Sequence, residues 1–150
     1  MKNIKLNLKI KIKEKNIIPK KCKIQQWIQN ILHKKCEITI CIVNKKEIQK
    51  INFTYRNKNQ PTNILSFPYQ IPKYTQSYLI GDLVICAEIM QKEILEQNKT
   101  LESHWAHIII HGILHLLGYQ HKNQKKKNKM EKIEIDTMKK LGYGNPYILK

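Results

Sequence analysis

The stretch His111-Gly112-Ile113-Leu114-His115-Leu116-Leu117-Gly118-Tyr119-Gln120-His121 carries the chain's densest chemical signal, H-x-x-x-H-x-x-G-x-x-H. The apolar run before it predicts a helix, and residues four apart lie one above the other on a single helical face. Two neutral imidazoles placed so bind one zinc ion. Gly118 predicts the helix stop, because glycine takes the left-handed conformation that a C-terminal cap needs. The turn brings His121 back toward the same metal. Three protein ligands leave a fourth position for water, the pattern of a catalytic rather than a structural zinc. The expectation is one zinc ion per chain, on His111, His115 and His121.

His104 and His107 lie on the same predicted helix. His107, His111 and His115 are successive i,i+4 neighbours, but the eight residues from first to last rise roughly 12 Å. Zinc–nitrogen bonds of about 2.0–2.1 Å cannot span that ladder. The third ligand must therefore come from beyond the helix. His104 and His107 are read as core histidines with backbone partners, or as groups that orient the ligands. Metzincin proteases share the histidine spacing in their motif H-E-x-x-H-x-x-G-x-x-H. Their glutamate is the general base. Gly112 stands in that place, which argues against peptide hydrolysis by that route.

The elements that must position these groups are legible as periodicities. Residues 4–13 alternate apolar and polar, as a half-buried strand does. Pro19 suits the first turn of a helix. That helix spans 19–34, with Cys22, Ile24, Trp27, Ile28, Ile31 and Leu32 as its core stripe. Residues 37–43 alternate again and form a second strand. Asn44 caps a short helix that ends near Tyr55-Arg56. A polar loop at 57–62 leads to a third strand at 64–69, where Pro68 marks an edge or a bulge. A loop at 70–77, a fourth strand at 78–86 bent at Gly81, and a helix at 87–99 follow. The central helix starts at Thr100 and runs to Leu117; apolar almost all round, it must be buried. A lysine-rich stretch at 122–132 precedes a last helix with Ile133, Ile135, Met138 and Leu141 on its inner face. The order predicts an α+β fold: a small mixed four-stranded sheet packed with helices around a central metal-bearing helix, zincin-like.

Length and composition set the frame. The 150 residues suit a single domain, 1–150, with its own core. No continuous apolar run reaches the ~18 residues a membrane span requires. Met1 to Lys15 lacks the apolar centre of a signal peptide, so a cytoplasmic protein is expected. Cys22, Cys36, Cys41 and Cys86 form no C-x-x-C pair and are read as reduced and structural. Net charge is +17, from 28 basic and 11 acidic residues. A basic surface attracts nucleic acid through phosphate contacts and counterion release. The chain also holds 27 Lys, 26 Ile and 13 Asn but one Arg. Those abundant residues share A/T-rich codons, so genomic base bias accounts for the charge equally well.

HGILHLLGYQH resembles the signature of the YbeY family of bacterial endoribonucleases. Thr54-Tyr55-Arg56 with Pro61-Thr62-Asn63-Ile64-Leu65-Ser66-Phe67-Pro68, and then Gly81-Asp82-Leu83-Val84-Ile85, resemble further blocks of that family in the same order. The likeness spans nearly the whole chain. It implies a zinc-dependent, single-strand-specific endoribonuclease that acts in rRNA maturation, especially at the 3′ end of 16S rRNA, and in ribosome quality control. It implies as partners single-stranded rRNA, the small ribosomal subunit, ribosomal proteins and an assembly GTPase.

The resemblance places catalytic roles on His111 and His115, and on Arg56, where the family's functional arginine falls. A guanidinium grips a phosphate with two parallel hydrogen bonds. One position departs from the family. Asp usually precedes the last histidine, and here Gln120 does, a neutral amide that cannot act as a base. Asp82 is read as a turn or cap carboxylate rather than a base. Ser66 and Thr62 are candidates for bonding phosphate or only their own loop. Phe67, Tyr69 and Tyr119 default to core packing over base stacking. The nucleophile stays open between metal-activated water and the RNA's own 2′-hydroxyl. Two other functions also stay open: a ribosome assembly factor with structural zinc, and a zinc hydrolase of another substrate class.

Overall fold

The runs Cys41-Ile42-Val43 and Leu83-Val84-Ile85-Cys86 are apolar without alternation, so the strands that hold them must be covered on both faces. The computed structural model describes residues 4–69 and 78–148. Strands β1 (Ile4–Ile10), β2 (Cys36–Val43), β3 (Ile64–Pro68) and β4 (Tyr78–Cys86) form one sheet in the order β1-β2-β4-β3. The β1–β2 and β2–β4 pairs are parallel, and β3 runs antiparallel to β4 along one edge. Among the described residues five α-helices accompany them: α1 (Lys21–Gln29), α2 (Lys45–Arg56), α3 (Ala87–Gln97), α4 (Leu101–Leu116) and α5 (Gln124–Lys140). This is the expected α+β architecture with a mixed four-stranded sheet. No described helix is long and apolar enough to cross a membrane.

The two faces carry separate cores. Ile38, Ile40 and Ile42 of β2 and Leu83 and Ile85 of β4 join a large cluster with α1, α3, α4 and α5. The alternate residues Val43, Val84 and Cys86, with Leu65 of β3, meet Ile48 of α2 in a smaller cluster on the other face. So α4 and α2 lie on opposite sides of the sheet. Within the large cluster Trp105, Ile109, Ile110 and Ile113 of α4 are fully buried, as its all-round apolarity requires.

Local signals hold at most element ends. The Asn44 side chain accepts from the Glu47 N–H at 2.9 Å and starts α2. Asn57, at φ 58°, stops it directly after Arg56. Pro68 does sit on an edge strand, where its missing N–H removes no ladder bond. A bulge at Ile80 shifts the β2–β4 register, so that Glu37 faces Leu79 and Ile38 faces Gly81.

Three boundaries differ from expectation. The first strand ends at Ile10, followed by one turn of 3-10 helix at Lys15–Ile17. Only Ile4 and Leu6 of β1 are buried, so the later alternation has little core to meet. Helix α1 covers Lys21–Gln29, not 19–34. Ile31 and Leu32 bond back to the Ile28 carbonyl in a turn, and reach the core from there. The lysine-rich stretch is the first half of α5 itself, capped by Asn123 onto the Lys126 N–H. Its inward residues are Met130, Glu134, Thr137 and Met138, with Ile133 and Leu141 partly buried beside them. Ile135 gives up its expected place because Glu134 is drawn inward. The expected loop at 70–77 lies outside the described residues.

Candidate metal centre

The site is assembled on the last two turns of α4. Thr100 starts this helix by accepting from the Ser103 N–H at 3.1 Å. The helix ends in a Schellman motif: Gly118 N–H donates to the His115 carbonyl and Tyr119 N–H to the Leu114 carbonyl, both at 3.0 Å. Gly118 has φ 99°, the left-handed backbone expected of a glycine stop. The reversal carries His121 back over the helix end.

One ring nitrogen from each of His111, His115 and His121 falls in a group whose members all lie within 4.8 Å of one another. The Nε2 atoms of His111 and His115 are 3.1 Å apart. A tetrahedral zinc with bonds of about 2.0–2.1 Å places its nitrogens about 3.3–3.4 Å apart. These three residues could hold a metal ion. His115 is kept neutral, the form that offers a lone pair: burial first, then His111 and His121 nearby, lower its pKa to about 4.

A residue that the sequence analysis missed organises this cluster. Glu134 of α5 is 0% exposed. Its Oε1 accepts from His111 Nδ1 at 3.0 Å and from His107 Nε2 at 2.8 Å. The Tyr147 hydroxyl donates to it from 2.9 Å. Burial pushes the Glu134 pKa up, but the hydrogen bonds from His107 and His111 outweigh that and bring it down to about 2. As an ionised acceptor, Glu134 holds the His111 proton on Nδ1 and leaves Nε2 free for a metal. Its own ion-pair partners among the described residues are these histidines, with no Lys or Arg. A buried carboxylate without a cation is costly. A divalent ion on the far side of His111 would supply the missing positive charge, and three imidazoles are a donor set that could hold one. A signal for Glu134 existed: it lies four residues from both Met130 and Met138, inside the apolar stripe of α5.

The other expected residues separate cleanly. The centre opens into a cavity of about 660 Å³ lined by Arg56, Thr62, Ser66, His111, His115 and His121 among others. Arg56 reaches it by rounding the β3 edge, and its Nη2 donates to the Ser66 carbonyl at 2.8 Å. Gln120 is exposed at the cavity wall. The Ser66 hydroxyl faces the Gly112 carbonyl at 3.4 Å. Asp82 lies on the α2 face of β4, bonded to the Tyr69 hydroxyl, and is neither a turn nor a cap residue. His107 and His104 are buried, but their partners are carboxylates rather than backbone: Glu134 for the first and Glu93, at 2.9 Å, for the second. Phe67 and Tyr119 pack partly against the two cores, while Tyr69 is exposed.

Gly112 explains why a metzincin-type base has no place here. A Cβ at this position would lie 2.7 Å from Ile64 Cδ1 and 2.9 Å from Leu83 Cδ2. The helix rests on the sheet through this glycine. Gly112→Glu forces a long charged chain into that contact, and is expected to destabilise the fold by about 3 kcal/mol or more. A urea melt of the variant measures this.

Known proteins bear on the same residues. Residues 7–142 match the family model for Endoribonuclease YbeY. The chain is 53% identical to Endoribonuclease YbeY of Buchnera aphidicola subsp. Acyrthosiphon pisum (strain APS), over 100% of this chain and 99% of that protein. It is 48% identical to Endoribonuclease YbeY of Buchnera aphidicola subsp. Baizongia pistaciae (strain Bp), with 98% of each covered. The solution structure of TM1509 from Thermotoga maritima shares the fold, with a TM-score of 0.53 at 23% identity over 97% of this chain and 99% of that one. The chain thus belongs to the endoribonuclease YbeY family, hydrolases that cut RNA phosphodiester bonds within the strand.

Proposed function

We propose that this chain is a zinc-dependent, single-strand-specific endoribonuclease of the cytoplasm. It matures rRNA, with the 3′ end of 16S rRNA as its principal target, and serves ribosome quality control on the small subunit. Ribosomal proteins and an assembly GTPase are its companions there. One observation carries the reading: the Glu134-oriented His111 converges with His115 and His121 in the cavity that Arg56 also lines.

His111, His115 and His121 would hold the zinc. When bound, zinc supplies a double positive charge that polarises a scissile phosphate and makes water more acidic. The protein's own groups do the rest. Glu134 fixes the tautomer and direction of the His111 ring. Arg56 has one guanidinium N–H tied to Ser66, which anchors the group while its remaining donors serve a phosphate. Charge that develops on the phosphate in the transition state is met by this fixed cation.

The β3 edge favours nucleic acid over peptide as substrate. Asn63 and Tyr69 bond inward to Cys86 and Ile80 of β4, so by alternation Ser66 turns its carbonyl to the open edge. Arg56 already occupies that carbonyl, and Pro68 offers no N–H. An extended peptide adding to this edge finds one carbonyl taken and one N–H missing.

The test is cleavage of a labelled single strand carrying the 16S rRNA 3′ end, with its duplex form beside it. The zinc-loaded chain is expected to cut the strand and spare the duplex. Arg56→Ala should lose about 10²–10³-fold in kcat with its zinc content unchanged. An intact strand at stoichiometric zinc sinks the proposal.

A further inference from the structure

The corner where α2 meets the β3 edge carries an aromatic side chain, Tyr55, that the core does not use. The chain has eleven aromatic residues by composition, two Phe, two Trp and seven Tyr. Tyr55, in the last turn of α2, is 71% exposed. Its ring meets Phe67 edge-on at 5.4 Å between centroids. The Arg56 guanidinium lies over the same Phe67 ring, 5.6 Å from its centroid. A continuous series, Arg56 to Phe67 to Tyr55, therefore leads from the metal cavity round the edge strand to an open aromatic surface. Tyr55 also ends a shallow depression lined by Lys46, Lys50, Ile51 and Thr54. Glu47, which lines it too, is paired with Lys11 at 3.4 Å, so the two lysines give the depression its charge.

Packing does not explain Tyr55. Helix α2 is anchored by Ile48 and Asn52, both buried, and by Ile51. The Tyr55 ring covers only one edge of Phe67 and leaves most of its own surface to solvent. A flat π-face, a neighbouring arginine and flanking lysines suit one ligand class: an unpaired nucleobase on a strand whose phosphates are held by cations. A duplex hides its base faces and cannot use such a platform.

We infer that Tyr55, backed by Phe67, is a stacking platform for a nucleobase of the single-stranded substrate, next to the phosphate gripped by Arg56. This rests on the endoribonuclease reading above and adds a binding subsite to it. It also supplies a physical source for single-strand preference, since only an unpaired base can turn onto the ring.

The test compares wild-type, Tyr55→Ala, Tyr55→Phe and Phe53→Ala chains on a short fluorescein-labelled single-stranded RNA. Phe53 is a control, 52% exposed on the same helix but about 160° round its axis from Tyr55. Tyr55→Ala should raise KM and weaken binding by about 5- to 150-fold, the range for losing one stacked base. Its kcat and the slope of affinity against salt should not move, because stacking releases no counterions. Tyr55→Phe should restore affinity, and Phe53→Ala should match wild type. Scanning abasic positions along the strand should find one that weakens wild-type binding and leaves Tyr55→Ala unaffected. If Tyr55→Ala binds and cuts as wild type does, the platform is refuted while the nuclease reading stands. If the wild-type chain neither binds nor cuts the strand, both fall together.

Discussion

His115→Ala is expected to leave a chain that no longer retains stoichiometric zinc and cuts single-stranded RNA at least about 100-fold more slowly. Groups that only orient a metal ligand already cost 10–100-fold when removed, so loss of a ligand sets a higher floor. His115 stands in the middle of the cluster, 3.1 Å from His111 and with its ring 5.0 Å from that of His121. Without it two imidazoles remain, whose rings lie 6.0 Å apart, and two donors hold an ion less tightly than three. The fold itself should survive, since His115 is only part-buried and its chain continues into the Gly118 turn. Zinc content after dialysis, a far-UV spectrum and a cleavage assay check the three parts of this expectation. Retained stoichiometric zinc in the variant would remove His115 from the ligand set.

Glu134→Gln is expected to weaken zinc binding by about 10- to 100-fold, although residue 134 touches no metal. The carboxylate accepts from His107, His111 and Tyr147 together. An amide has one acceptor oxygen and an NH2 group that donates, so it cannot face three donors. The His111 proton is then no longer pinned to Nδ1, and Nε2 loses part of its basicity. The buried negative charge that balances the ion also disappears. Raising free zinc should recover much of the activity, which distinguishes lost affinity from lost chemistry. A chelator competition at several zinc levels measures the shift, and unchanged affinity would mean that Glu134 serves stability alone. Glu134→Ala is the harsher variant: it strands the buried His107 donor, at about 1–3 kcal/mol, and should lower the melting temperature as well.

The residues read correctly in advance are those whose relations are local. Histidines four apart on a helix, a glycine stop and Asn or Thr at a cap all act within one or two turns of chain. Their geometry follows from helical pitch and backbone preference. Glu134 was passed over because its partners lie 23 and 27 residues away. Its spacing from Met130 and Met138 puts it on the inner face of α5, but a glutamate among lysines is by type a solvated residue. Tyr147 was invisible for the same reason. Its contact with Glu134 depends on how the segment after α5 returns across the molecule.

From its sequence alone the chain determined the α+β class, the element order, and which three imidazoles stand one turn and one glycine break apart. Tertiary structure decided what surrounds them. It turned α5 so that a carboxylate rather than Ile135 faces the core, because two imidazoles and a phenol satisfy that carboxylate there. It pressed Gly112 against Ile64 and Leu83, closing the place where a protease would keep its base. And it brought Arg56 to the cavity from a helix on the opposite face of the sheet. That approach exists only because β3 is a short edge strand that a long side chain can round, a fact of strand order that no spacing of residues encodes.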